Sequence, residues 1–308
     1  MRHGRVARVA LLLALNAAHA PAHSAPPPAA LPVPRPFGVA VETGKRTMAR
    51  GDRVAYDLYI PQAANGLPPP PWPAVVLDHG FARSKVRHAN TSRFLAERGV
   101  VVLVANLVSL LGGERAQLAN VESTRDHVAW LKARSASPGD PLFGLVDPER
   151  IALAGYSAGG AVAFEAAASG ARVRAVVLLD AVPWERTIGA AKKVAVPRLL
   201  SLRSEPSACN AKGSVRKLLA NLPFESDDVR IVGGTHCDVE DPTDAACRFF
   251  CGGTKEGARA LYRRLLYSFL RDALDAPLVG DVPDTWFEAI RRGVEDGSLV
   301  VDRVTPES

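Results

Sequence analysis

The sequence predicts an α/β protein whose mainly parallel sheet is covered by helices on both faces. Short, continuous apolar runs recur along the chain, and segments with helical spacing lie between most of them. Continuous apolar runs are typical of parallel strands that are buried on both sides, and their alternation with helices is typical of a parallel sheet. Apolar residues make up 47% of the 308 residues, so the core of one large domain can be filled.

The predicted elements follow one another in a regular order. Residues 37–42 and 53–60 alternate between apolar and polar side chains, which is typical of two half-buried opening strands. A short helix near the C-terminus is expected to dock on the core through Trp286, Phe287 and Ile290. Between these ends, buried strands are predicted at 74–77, 100–105, 151–154, 173–179, 197–202 and 229–232, and helices at 91–98, 114–134, 161–168, 213–222 and 255–272.

The N-terminal residues have the pattern of a secretory signal peptide. Three arginines precede a short apolar run at 9–15, and this run is too short to span a bilayer as a helix. We therefore expect a secreted or periplasmic protein without a membrane span; the cleavage site stays open. The expected segments are a signal peptide at 1–24, a Pro/Ala-rich leader at 25–36, an α/β domain at 37–273 and a C-terminal extension at 274–308.

The charge of the chain does not indicate a nucleic-acid-binding protein. The formal net charge of +6 falls to +3 when residues 1–24 are removed, because they carry three arginines and no acidic residue. No basic patch with interleaved aromatic residues occurs either.

Four cysteines lie in the last third of the chain: Cys209, Cys237, Cys247 and Cys251. In an oxidising compartment an even number of cysteines predicts two disulfides, for which three pairings are possible. The alternative is a zinc site built from His236 and these cysteines. The expected export of the protein and the lack of a paired C-x-x-C pattern disfavour this alternative. Cys237 directly follows His236, so one bridge is expected to help fix the loop that carries this histidine.

One strand–turn–helix motif carries a serine at its apex. It reads Gly-Tyr-Ser-Ala-Gly-Gly over residues 155–160 and follows the apolar run at 151–154. A sharp turn of this kind holds the serine clear of its own backbone, and the glycines let the strand and the helix pass closely. The motif therefore indicates a nucleophile, Ser157, and places the N–H of Ala158 at a helix N-terminus, where it can stabilise an oxyanion. The alternative is a Gly-rich turn with an incidental serine.

His236 is the predicted general base. It is the only one of the seven histidines that follows Ser157, as the order nucleophile, acid, histidine requires. It lies in a Gly-rich loop just past a buried strand, where an imidazole can swing over the serine. His79 is expected in a strand-end turn, and His88 and His127 are expected at exposed positions.

A second oxyanion donor is expected in the loop after the strand at 74–77. Gly80 lets the backbone fold back there, so the N–H of Phe81 would point to the site beside that of Ala158. The alternative is an ordinary strand-end turn.

These motifs together resemble those of the α/β-hydrolase superfamily. The resemblance rests on His-Gly-Phe at 79–81, the serine motif at 155–160 and Gly-Gly-Thr-His at 233–236, and it covers roughly residues 37–273. Within the superfamily, the compact layout is similar to the chlorophyllase and cutinase-like polyester-hydrolase branch. The connection between the strands at 173–179 and 197–202 is short, so we expect an open cleft without a cap domain.

The resemblance implies a secreted serine hydrolase that acts on small-molecule or polymeric carboxylic esters. Ser157 would attack the acyl carbon, His236 would move the proton, and the amides of Phe81 and Ala158 would stabilise the oxyanion. No metal or organic cofactor is implied. Three rivals remain: an acyltransferase on the same scaffold; a peptidase, which in this superfamily usually brings a large extra domain; and a non-catalytic secreted binding protein, which would be expected to lose the serine or the histidine.

The acid of the triad is left open between two residues. Asp180 directly ends the apolar run at 173–179, so its carboxylate would emerge at the same edge of the sheet as Ser157, and we favour it. Glu205 lies in the loop after the next strand, which is the commoner position in the superfamily, but Pro206 follows it directly. The alternatives are a carboxylate that caps nearby backbone N–H groups for Asp180 and a solvated loop charge for Glu205.

Overall fold

The computed structural model describes residues 36–109, 113–277, 279 and 285–304. The expected signal peptide at 1–24 lies outside these residues, as does the expected leader at 25–36 apart from Pro36. Within the described ranges, no helix combines the length and the apolar character needed to cross a membrane.

A nine-stranded sheet forms the centre of the described chain, and the predicted α/β fold is confirmed. Its order is β1-β2-β4-β3-β5-β6-β7-β8-β9. The six strands from β4 to β8 in that order are parallel, whereas β1, β2 and β9 join through antiparallel pairs. The strands are β1 (Gly38–Thr47), β2 (Arg53–Gln62), β3 (Trp72–Asp78), β4 (Val101–Ala105), β5 (Val146–Tyr156), β6 (Ala175–Leu179), β7 (Arg198–Arg203), β8 (Ser226–Ile231) and β9 (Leu299–Val304).

Helices cover the two faces of the sheet and enclose two apolar layers. The helices are α1 (Ala89–Ala96), α2 (Glu114–Ala136), α3 (Ala158–Ala168), α4 (Glu185–Gly189), α5 (Val215–Ala220), α6 (Ala245–Cys251), α7 (Glu256–Leu274) and α8 (Trp286–Glu295). Leu153 of β5 belongs to the layer with α2, α3 and α5, and its neighbour Ala154 belongs to the layer with α1, α7 and α8. Successive residues of a strand point to opposite faces, so one continuous apolar run fills both layers.

The parallel strands bring distant residues to one edge of the sheet. Strands β3, β5, β6 and β8 all run in one direction, and each ends at that edge. The segments that follow them begin at His79, Ser157, Asp180 and Val232. Ligands of open α/β sheets bind at this edge. The connection from β6 to β7 contains α4 and a 3-10 turn, Ala191–Lys193.

The C-terminal part differs from the prediction in two ways. It supplies the edge strand β9, which sequence reasoning missed. In α8, Trp286 is buried and Ile290 is partly buried against the core, as expected, but Phe287 is 74% exposed. One residue along a helix is a rotation of about 100°. Phe287 therefore cannot share the docked face with Trp286 and Ile290, and that expectation was wrong.

Two histidines expected at exposed positions are buried instead. The ring of His88 lies against that of Tyr156, with centroids 5.9 Å apart. Arg46 Nη1, from β1, donates to His127 Nδ1, from α2, over 2.8 Å. Burial lowers the pKa of both histidines to about 3. Both rings are therefore neutral near neutral pH and belong to the packing.

Candidate active site

Ser157 lies in a strained turn between β5 and α3. Its φ of 55° and ψ of −121° are values that residues with side chains rarely adopt. A Cβ atom on Gly155 would clash with the carbonyl group of Gly159, and one on Gly159 would clash with the carbonyl oxygen of His79. Three backbone segments thus meet within contact distance, which requires glycines on both sides of Ser157.

Ser157, His236 and Asp180 form a hydrogen-bonded row. Ser157 Oγ lies 3.1 Å from His236 Nε2, and His236 Nδ1 lies 2.6 Å from Asp180 Oδ2. All three side chains are buried. With its proton on Nδ1, the imidazole donates to Asp180 and accepts from the hydroxyl of Ser157. The structure therefore brings together the three residues that the sequence analysis favoured.

The loop after β7 holds the carboxylate of Asp180. The backbone N–H of Ser204 donates to Oδ1 over 2.9 Å, and its hydroxyl donates to Oδ2 over 2.7 Å. Asn210 Nδ2 lies 3.2 and 3.3 Å from the two carboxylate oxygens. Ser204, Asn210 and Asp180 are all buried. These neutral donors fix the orientation of the carboxylate toward His236.

Glu205 has different partners. Its Oε1 accepts from Arg230 Nη1 over 2.5 Å and from the N–H of Gly233 over 3.0 Å, and its side chain is 39% exposed. It therefore braces the end of β8 from the protein surface, whereas Asp180 is the carboxylate beside His236.

Two residues that line the cleft beside Ser157 have backbone amides without a partner in the described part of the chain. Ala158 is the first residue of α3, so its N–H has no carbonyl one turn earlier to bond. Among the described residues, the N–H of Phe81 has no hydrogen-bond partner. Both residues line the same cavity as Ser157. The two amides that the sequence analysis singled out are thus free to donate to a ligand there.

His79 supports the loop that carries Phe81. Its Nδ1 donates to the carbonyl oxygen of Gly80 over 2.9 Å, and its Nε2 accepts from the N–H of Leu107 over 2.9 Å. Burial lowers the pKa of His79 to about 4, so the ring stays neutral and keeps this pair of hydrogen bonds. Burial also raises the pKa of the preceding Asp78 to about 7, although Thr124 donates its hydroxyl to it.

An open cleft of about 620 Å³ surrounds Ser157. Trp184 and Val182, from the connection after β6, form an apolar part of its wall, and Phe250 of α6 forms another. Arg83 also lines the cleft, but Nε and Nη2 of its guanidinium each donate to the fully buried carboxylate of Glu240 over 2.6 Å. The ion pair occupies this arginine, so the cleft offers a ligand mainly apolar surface and backbone amides.

Two disulfides connect α6 to the rest of the site. Cys237 is bonded to Cys247, and Cys209 is bonded to Cys251. The two predicted disulfides are therefore confirmed, and one of the three possible pairings is realised. All four cysteines are oxidised, so none offers a thiolate to the alternative zinc site with His236.

The two bridges are expected to differ in their main effect when each is removed. In the chain-entropy account, loops of 10 and 42 residues contribute about 3 and about 4 kcal/mol to the free energy of unfolding. Replacing Cys209 and Cys251 by serine should therefore lower the free energy of unfolding, measured by chemical denaturation, more than replacing Cys237 and Cys247 does. Replacing Cys237 and Cys247 by serine should lower the turnover of a nitrophenyl ester more than the other double replacement does, because this bridge is adjacent to His236. Four free thiols in the denatured, unreduced protein, or an equal loss of turnover in both double variants, would contradict this expectation.

Sequence reasoning missed four residues of the site: Ser204, Asn210, Trp184 and Phe250. Trp184 lies four residues after Asp180, so the short connection at the active edge was a usable signal for it. Asn210 is adjacent to Cys209. Its contact with Asp180 depends on how the loop after β7 folds, which no local pattern indicates.

A comparison with known families gives one match. A family model described as PET hydrolase-like matches residues 26–237, which is more than half of the chain and includes Ser157, Asp180 and His236. The resemblance to cutinase-like polyester hydrolases is thereby confirmed. A search of curated proteins found no match.

Proposed function

The chain belongs to the PET hydrolase-like family of carboxylic ester hydrolases, and on this premise we propose that it is a secreted serine hydrolase that works through an acyl-enzyme. The hydrogen-bonded row of Ser157, His236 and Asp180 is the observation that carries the proposal. The open, largely apolar cleft around Ser157 supports an ester substrate that approaches from the surface, whether a small molecule or a polymer.

In the proposed mechanism, His236 removes the proton of the Ser157 hydroxyl while Oγ attacks the ester carbonyl carbon. Asp180 keeps the imidazole in the required tautomer and stabilises the imidazolium that forms. The amides of Phe81 and Ala158 donate to the oxygen that becomes negative. His236 then gives its proton to the leaving alcohol as the C–O bond breaks, which leaves the acyl group on Ser157.

Water completes the proposed cycle. His236 removes a proton from a water molecule, which attacks the acyl carbon over the same two amides. Collapse of this second intermediate returns the proton to Ser157 and releases the carboxylic acid. Ser204 and Asn210 do not line the cleft around Ser157, and act by orienting Asp180.

Export is part of the same proposal. It is supported by the basic and then apolar pattern of residues 1–24 and by the two disulfides, which persist in oxidising compartments. In the mature protein, the α/β domain would then begin near Phe37 after a short leader.

Hydrolysis of nitrophenyl esters of increasing acyl length, and of polyester particles, tests the proposed function. We expect free carboxylic acid as the product, with and without an added alcohol. An ester product that forms only with the alcohol, and no acid in its absence, would favour the acyltransferase. The absence of turnover on every ester would favour the non-catalytic binding protein.

A further inference from the structure

Helix α6 carries two neighbouring phenylalanines that are almost fully exposed. Phe249 is 82% exposed and Phe250 is 76% exposed, the highest values for large apolar side chains among the described residues. Their rings form a T-shaped pair with centroids 5.1 Å apart. Aromatic side chains are only 6% of the chain, and large apolar surface shared by adjacent side chains marks interaction sites.

The helix holds this pair in a fixed place. Cys247 and Cys251 are one turn apart on one face of α6 and tie it to Cys237 and Cys209. The side chain of Asp244 accepts from the N–H of Cys247 over 2.9 Å and caps the first turn. Helical geometry places Phe249 on the face opposite the cysteines. A surface that is already rigid loses little conformational entropy when a ligand binds to it.

The phenylalanine pair is continuous with the cleft. Phe250 lines the cavity that contains Ser157, together with Trp184 and Phe81, and Phe81 is itself 54% exposed. Phe249 packs against Phe250 but does not line the cavity. A substrate that leaves the cleft over Phe250 also reaches the ring of Phe249, because the two rings pack together.

We propose that Phe249 and Phe250 form a docking surface for a polyester chain or the face of a polyester solid. The proposal rests on the proposed function and extends it. The occupant is an apolar chain with repeated ester groups, since only a molecule longer than the cleft can have one ester at Ser157 and further units on α6. The rings hold neighbouring units while the cleft holds the reacting ester.

Adsorption without turnover tests the docking surface. The Ser157→Ala protein and its Phe249→Ser derivative are mixed with polycaprolactone particles, and the bound fraction is measured against protein concentration. We expect about tenfold weaker adsorption of the derivative, which corresponds to part of the apolar transfer energy of one phenylalanine. In the active protein, the rate on particles divided by the rate on nitrophenyl acetate should fall by a similar factor.

Phe287→Ser is the matched control, because Phe287 is also 74% exposed but lies on α8 and does not line the cleft. It should change neither measurement. Three results would overturn the proposal. The first is equal adsorption of all three proteins, and the second is an equal loss of adsorption in both derivatives. The third is a dimer that Phe249→Ser dissociates without weakening adsorption. Nitrophenyl acetate distinguishes a failure of the proposed function from a failure of the docking surface. If the protein does not hydrolyse this ester, the proposed function is wrong. If it does, and Phe249→Ser leaves adsorption to particles unchanged, only the docking surface is wrong.

Discussion

Replacement of Ser157 by alanine is expected to lower kcat for ester hydrolysis by about 10⁶-fold, the loss seen when a serine nucleophile that acts with a histidine base is removed. The hydroxyl that His236 would deprotonate is absent, so no acyl-enzyme can form. Alanine keeps the Cβ atom, so it can adopt the same strained backbone conformation, with φ of 55°, as Ser157 does. Circular dichroism and the melting temperature should therefore change little.

A neighbouring serine provides the control for this variant. Ser169 lies at the other end of α3, where its hydroxyl donates to the carbonyl oxygen of Glu165 over 2.6 Å. Ser169→Ala should keep full activity. An organophosphonate should label Ser157 in the unmodified protein and no residue in Ser157→Ala. Substantial activity in a folded Ser157→Ala protein would remove the whole mechanism.

The parts of the site that sequence reasoning identified are those with local signatures. The glycines around Ser157 are required by backbone contacts that the motif itself encodes. His79, Asp180 and the loop of His236 each follow a buried strand, and the parallel sheet brings such positions to one edge. The alternation of apolar runs and helical segments was sufficient to predict this sheet, so the meeting of these residues followed from the fold.

The parts that were missed depend on contacts between distant segments. The pairing of the four cysteines determines where α6 lies, and no local pattern indicates that pairing. His88 lies in a short polar stretch, which predicts an exposed position. Its burial depends on the contact of its ring with that of Tyr156, which is distant in the sequence. Strand β9 is a short run near the C-terminus whose pairing with β8 depends on the packing of α8.

The choice between Asp180 and Glu205 is a case where local signals left two residues open. The commoner position of the acid, after β7, is occupied here by Ser204 and Glu205. Ser204 donates to Asp180, and Glu205 pairs with Arg230. The loop after β7 therefore supplies hydrogen-bond donors to a carboxylate that the preceding parallel strand, β6, presents.

Asp180→Asn is accordingly expected to lower kcat by up to about 10⁴-fold while the protein stays folded. Asparagine tolerates the left-handed backbone that Asp180 adopts at φ 45°, and its side-chain oxygen, in the place of Oδ1, can still accept from the backbone N–H of Ser204. Its NH₂ group cannot accept from His236 Nδ1–H, so an asparagine that keeps its oxygen on Ser204 favours the wrong tautomer of the imidazole.

Glu205→Gln is the matched control. It keeps an acceptor for the N–H of Gly233, loses only the half-exposed ion pair with Arg230, and should change kcat less than about twofold. Steady-state kinetics on one nitrophenyl ester compares the two variants. A collapse of kcat in Glu205→Gln with near-normal turnover in Asp180→Asn would show that the assignment of Asp180 is wrong and that Glu205 is the acid.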